Sequence, residues 1–268
     1  MTAQVPPGVG GQVEPAWSQD GQHLVYAQDG ALTLVEPGVP TSSPTPITKP
    51  PPGMTDRNPA LAPTEKVILV AYLQGAGDHA HQLCFVMVLK FNPRVTSCVN
   101  VPAWNLGGQV SWSPDGQTIL VLGTRGNNGA TFGLLAFSTG TAFSTQARNW
   151  EGPDLMTDDS VPGQGAYAGA FSPNGKKLAL VWGSINNGFN LYINNNPRDF
   201  TPQTELPVTA CQISWRSDSQ ELAVMQPNGP CGPQASGKIV GVNPASPRNL
   251  ITLTTLGAHP AWQSVLGG

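Results

Sequence analysis

Charge is scarce in this sequence: Lys, Arg, Asp and Glu make up 11% of 268 residues, with a formal net charge of −3 and no blocks of one sign. No basic stripe of the kind that neutralises a phosphate backbone is present, which argues against a nucleic-acid-binding surface. Long apolar runs are missing too. A stretch such as Val67 to Leu73 falls far short of the about 20 helical residues needed to cross a bilayer. The opening "MTAQVPPGVGGQ" has neither a basic n-region nor an apolar h-region, so the chain reads as a mature or excised domain whose anchor, if it has one, lies outside. Catalytic signatures are also lacking. There is no Gly-x-Ser-x-Gly nucleophile elbow. The glycine-spaced stretch Gly123, Gly126, Gly129 and Gly133 runs on into "ATFGLLAF" rather than into Gly-Lys-Ser/Thr and a helix, so it is read as turn chemistry and not as a phosphate loop.

What the chain has in abundance is punctuation. With 31 Gly and 27 Pro it suits short strands and tight turns and works against long helices. It also repeats. "PAWSQDGQHLVYA" (Pro15 to Ala27), "VSWSPDGQTILVL" (Val110 to Leu122), "GAFSPNGKKLALV" (Gly169 to Val181) and "ISWRSDSQELAVM" (Ile213 to Met225) share one pattern, with a degenerate copy at "PALAPTEKVILVA" and a truncated one at "HPAWQS". The anchors Trp17, Leu61, Trp112, Phe171, Trp215 and Trp262 are 44, 51, 59, 44 and 47 residues apart, a period of propeller blades rather than of helical solenoids. In each copy an aromatic ends a first strand, a tetrad such as "SPDG" turns the chain, and a continuously apolar run follows. Such a run marks a strand covered on both faces. Asp20, Asp115, Asn174 and Asp218 fall in the tetrads as turn caps.

The repeated "PAWSQDG", "SWSPDG" and "AFSPNG" resemble the WD-like repeats of TolB-type β-propellers, over residues 14 to 264. The expected fold is therefore all-β: a single propeller domain, 1–268, with units at about 14–56, 57–107, 108–165, 166–209 and 210–257, closed by 258–268 together with 1–13. Five complete repeats and a closing blade shared by the termini predict six blades, with a five-bladed ring as the alternative. The resemblance implies a non-catalytic, extracytoplasmic recognition or sensor role, binding a protein partner or small ligand, with the ectodomain of a membrane receptor kinase as one form. It implies no cofactor and a monomer.

The four cysteines allow three pairings. Spacing favours Cys84 with Cys98 and Cys211 with Cys231, each pair flanking a strand, a turn and a second strand, and such pairing fits an oxidising compartment. Residues just before each first strand are expected at one mouth of the channel, where they would meet a ligand: Asp56, Arg57, Asn58, Gln109, Tyr167, Gln212 and His259. Arg57 would meet a peptide carboxylate. Asp78, His79 and His81 are the nearest approach to a metal cluster, without further ligands at suitable spacing. Asp56, Asp154, Asp158 and Asp159 would serve the rival reading, a propeller glycoside hydrolase or lyase using two carboxylates. Trp104 and Trp150 stand outside the anchor position and are expected as exposed anchors for a partner.

Overall fold

A computed structural model describes residues 13–39, 43–63, 67–77, 79–88, 95–125, 131–138, 154–156, 163–184, 186–231 and 235–262. Among them there are twenty strands and no helix. The strands fall into five four-stranded antiparallel units: β1 Val13–Trp17, β2 Leu24–Gln28, β3 Ala31–Val35 and β4 Thr45–Pro46; β5 Thr55–Leu61, β6 Ile68–Ala76, β7 His79–Val88 and β8 Val95–Asn100; β9 Asn105–Trp112, β10 Thr118–Arg125, β11 Thr131–Ser138 and β12 Asp154–Met156; β13 Gln164–Phe171, β14 Leu178–Ser184, β15 Gly188–Asn194 and β16 Thr204–Thr209; and β17 Gln212–Trp215, β18 Leu222–Pro227, β19 Gly237–Val242 and β20 Ile251–Gly257. The second and third units are joined through a single pair, Ala80 with Leu106. No helix among the described residues is long and apolar enough to cross a membrane.

The tetrads fold alike. In the third unit the Ser113 hydroxyl donates to Asp115 (2.5 Å) and accepts from the Thr118 N–H (2.9 Å), while the same carboxylate takes the Gln117 N–H (3.0 Å). Ser18 with Asp20 and Ser172 with Asn174 reproduce this at the other copies, and Gly21, Gly116 and Gly175 all take a left-handed φ. The fifth unit departs in sequence and keeps the shape. Arg216 there holds both Asp218 and Glu221, and Ser219 adopts φ 61° in place of glycine. At the other end of β2, Asp29 and Gly30 both have positive φ (52° and 79°), the geometry of the tight turn whose twist suits a hairpin.

The apolar runs are covered on both sides because alternate residues serve different seams. In β6, Val70 and Tyr72 pack with Val25 and Leu34 of the first unit, whereas Leu69, Ala71 and Leu73 pack with Val110, Trp112 and Val121 of the third. In β10, Leu120 turns to Leu178 and Leu180 of the fourth unit. Leu222 and Val224 of β18 meet the fourth unit's Val181 and Leu191. The anchor tryptophans stitch the seams polar-side as well: Trp112 Nε1 donates to the Ala60 carbonyl (3.0 Å) and Trp215 Nε1 to the Ala170 carbonyl (2.9 Å), each one unit back.

The two expected disulfides are present, Cys84–Cys98 across the directly paired β7 and β8, and Cys211–Cys231. Two expectations are corrected. Gly123 and Gly133 are not turn residues: they face each other within β10 and β11, and a Cβ on Gly123 would sit 2.5 Å from Leu135 Cδ1, so close packing, not turning, requires the glycine. Gly126 and Gly129 lie outside the described residues. Trp104 is buried, 8% exposed, under the Arg125 guanidinium at 4.7 Å, so it is no exposed anchor; Trp150 lies outside the described residues.

Candidate functional site

Four of the five described inner strands share an irregularity, whereas β17 pairs with β18 in unbroken register. The register between first and second strand slips at Val13/Ala16, at Arg57/Ala60, between Gly107 and Val110, and at Ala166/Ala168. These are bulges, which insert residues, bend the strand and re-aim its side chains. The chain takes a left-handed conformation at Glu14 (φ 60°), Asn58 (φ 51°) and Gly108 (φ 63°), and again at His259 (φ 51°), the same position of the truncated sixth copy. Such a conformation costs a non-glycine residue on the order of 1 kcal/mol or more, and such strain concentrates at functional sites.

The inner strands and the segment His259–Trp262 surround one cavity of about 240 Å³. Its walls include a polar set, Glu14, Asn58, Gln109, Gln212 and His259; Gln19 and the tetrad prolines Pro63, Pro114 and Pro173 also contribute, as do Trp17, Trp112, Trp215 and Trp262. The polar set is cross-tied. Glu14 Oε2 accepts the Asn58 N–H at 2.5 Å, and Gln109 Oε1 accepts the Ile213 N–H at 3.3 Å, reaching from the third unit to the fifth.

Gln212 orients the histidine. Its Oε1 accepts the His259 backbone N–H at 2.5 Å, which leaves its Nε2 facing His259 Nδ1 at 3.2 Å. An amide NH₂ can only donate, so Nδ1 must accept, and the ring is neutral with its proton on Nε2. Burial agrees, holding the His259 pKa below its ordinary value against the pull of Glu14. Glu14 is therefore the sole charge in the described walls, which contain no Lys, Arg or Asp.

Solved structures share this architecture. TolB from Acinetobacter baumannii superposes with a TM-score of 0.64 at 14% identity, over 96% of this chain and 58% of that one. The fold is that of a TolB-like β-propeller. A TolB-type chain from Agrobacterium tumefaciens follows, with a TM-score of 0.62 at 12% identity over 95% of this chain and 86% of that one. An oligogalacturonate lyase in complex with manganese matches with a TM-score of 0.54 at 13% identity, over 91% of this chain and 65% of that one. Neither a family model nor a curated protein matches the sequence. The propeller spans 58% of the length of the Acinetobacter TolB, and at these identities the likeness concerns fold alone.

Of the seven residues expected at the channel mouth, Asn58, Gln109, Gln212 and His259 line the cavity of the propeller and Asp56, Arg57 and Tyr167 do not. Asp56 is 1% exposed and takes a hydrogen bond from Gln74 Nε2 at 2.7 Å. Burial raises its pKa, with the bonds from Gln74 and Thr48 working against the rise. Arg57 Nη1 donates to the Gly77 carbonyl at 3.0 Å. Tyr167 is the extra residue of the fourth unit's bulge and leans on Phe189, centroids 4.7 Å apart; burial pushes its pKa up to about 12. Glu14 was missed, although "EPAW", "NPAL" and "HPAW" align it with Asn58 and His259.

Among the other candidates, His81 holds the Trp104 carbonyl through Nδ1 at 2.6 Å. Asp78 lies outside the described residues, as does the His79 side chain. No cluster of three metal-ligating side chains occurs among the described residues. Asp158 and Asp159 are outside the described residues, and of Asp154 only its strand position is described.

Proposed function

We propose that this propeller is a recognition domain that works outside the cytoplasm and holds its ligand or protein partner at the central cavity. The observation that carries the reading is the set of inner-strand residues that line one space: Glu14, Asn58 and Gln109 stand at the bulges of the first three units, and Gln212 and His259 join them, with left-handed backbone at Glu14, Asn58 and His259. Support for the compartment comes from two disulfides, which persist in oxidising surroundings. Its finer form is a sensor region within a larger membrane protein; an encoded transmembrane helix and kinase domain beside this segment would support that form, and a free-standing gene would remove it.

The rival is a carbohydrate-cleaving propeller, prompted by the lyase among the similar folds. The cavity suits it poorly. About 240 Å³ lies below the roughly 300 Å³ at which small-molecule pockets begin, and its single anion repels an acidic sugar. Alanine at Gln109 and at His259 tests both readings. Loss of retention of a partner from the source cells' envelope extract, with the β-sheet circular dichroism signal kept and no sugar released from any glycan, is the expected result. Sugar release that those substitutions abolish would replace recognition with catalysis.

A further inference from the structure

We infer that the cavity takes a single cationic group, an alkylammonium or guanidinium, with Glu14 as its counter-ion. This deepens the recognition reading above and rests on it. Four observations converge. Glu14 is the sole charge in the described walls, and no Lys, Arg or Asp accompanies it. The carboxylate is anchored by one oxygen, Oε2 to the Asn58 N–H, and a carboxylate has acceptor capacity to spare. His259 adds no competing positive charge, because the Gln212 amide fixes Nδ1 as an acceptor. Finally, Trp17, Trp112, Trp215 and Trp262 contribute to the walls, and indole is the ring that attracts cations best.

The same wall argues against the other charge classes. An anion would meet Glu14 without a basic partner. A neutral ligand would leave a partly desolvated carboxylate unpaired, which is costly. Size narrows the class further: the space suits one side chain or a small free amine rather than a polymer. Glu14 stands at the bulge of β1 with φ 60° and lines the cavity, and strained backbone of this kind concentrates at functional sites.

Three probes of similar size, n-butylammonium, butyramide and butyrate, and the larger N-acetyl-lysinamide test the inference on the whole protein, followed by tryptophan emission and by ligand-observed NMR. The two cations are expected to saturate in the millimolar range, with butyramide weaker and butyrate silent. Glu14→Gln, which keeps an acceptor for the Asn58 N–H, should weaken both cations about tenfold and leave butyramide unchanged. Glu14→Asp should keep the cation preference, which separates lost charge from a damaged fold. Tighter binding of N-acetyl-lysinamide than of n-butylammonium assigns the site to a side chain of a protein partner; the reverse order assigns it to a free amine. If butyrate or butyramide binds as well as the cations, or Glu14→Gln has no effect, the cation inference falls and the recognition site stands. Should no probe bind in the millimolar range, the cation inference falls, and partner retention by the unaltered protein decides the recognition reading.

Discussion

Replacing Ser113 by alanine tests whether the repeated tetrad holds the units together as its hydrogen bonds imply. The residue is 6% exposed, and its hydroxyl both accepts from the Thr118 N–H and donates to Asp115. Losing the first bond leaves a partly buried N–H without its partner, worth about 1 kcal/mol or somewhat more. The second bond ends on an exposed carboxylate, so solvent screening reduces it to about 0.5–1 kcal/mol. The expected cost is about 2 kcal/mol by urea unfolding, or roughly 5 °C in melting temperature for a domain of this size. A pH series sharpens the test. The Ser113 hydrogen bond is the main reason that the Asp115 pKa lies below its ordinary value. A carboxylate with a lowered folded pKa contributes stability that is fully present above its unfolded value, about 3.9, and is lost as pH falls through the folded one. The cost of Ser113→Ala should therefore shrink below about pH 4. Ser172→Ala is the internal control. Its partner Asn174 does not titrate, so its cost should show no such carboxylate-linked acid decline. A cost under about 0.5 kcal/mol at Ser113, or the same acid slope in both series, would refute the reasoning.

Two further predictions concern the body of the propeller. Gly123→Ala places a Cβ within 2.5–3.1 Å of Leu135 and Trp104 side-chain atoms and should cost about 1–3 kcal/mol by overpacking, whereas a turn residue in open space would tolerate the change; a neutral result in urea unfolding would contradict the strand assignment. Replacing either cysteine pair by serine removes a cross-link spanning 14 or 20 residues and should lower stability by about 3 kcal/mol; alkylation of all four thiols without reductant would overturn the pairing itself.

The units, their tetrads and the doubly covered strands were legible because each is local. An aromatic, a Ser-Pro-Asp-Gly turn and a run such as "TILVL" express φ preference, side-chain capping and two-sided burial within a dozen residues. Cysteine spacing was legible for the same reason. The ring was only half legible. A bulge adds a residue and shifts which side chains face the axis, and nothing in the alternation of "TDRNPAL" reveals that Asn58 reaches the cavity while Asp56 pairs with Gln74 inside a seam. Glu14 escaped because it stands at the outset of the first unit, where the channel-lining role depends on its likeness to Asn58 and His259. Gly123 misled because a glycine required by a neighbouring leucine looks the same in sequence as one required by a turn.

Seams between adjacent units make most of this structure a chain of nearest neighbours, in which a local defect is felt by two units and fades beyond them. The Gln109 bridge to the Ile213 N–H is different, for it spans the axis from the third unit to the fifth without passing through the fourth. Anything seated in the axial space would touch inner strands of units that are not neighbours in the ring. Occupancy would then act as a hub within a rim, tying distant units into one cooperative body and raising the temperature at which they let go together.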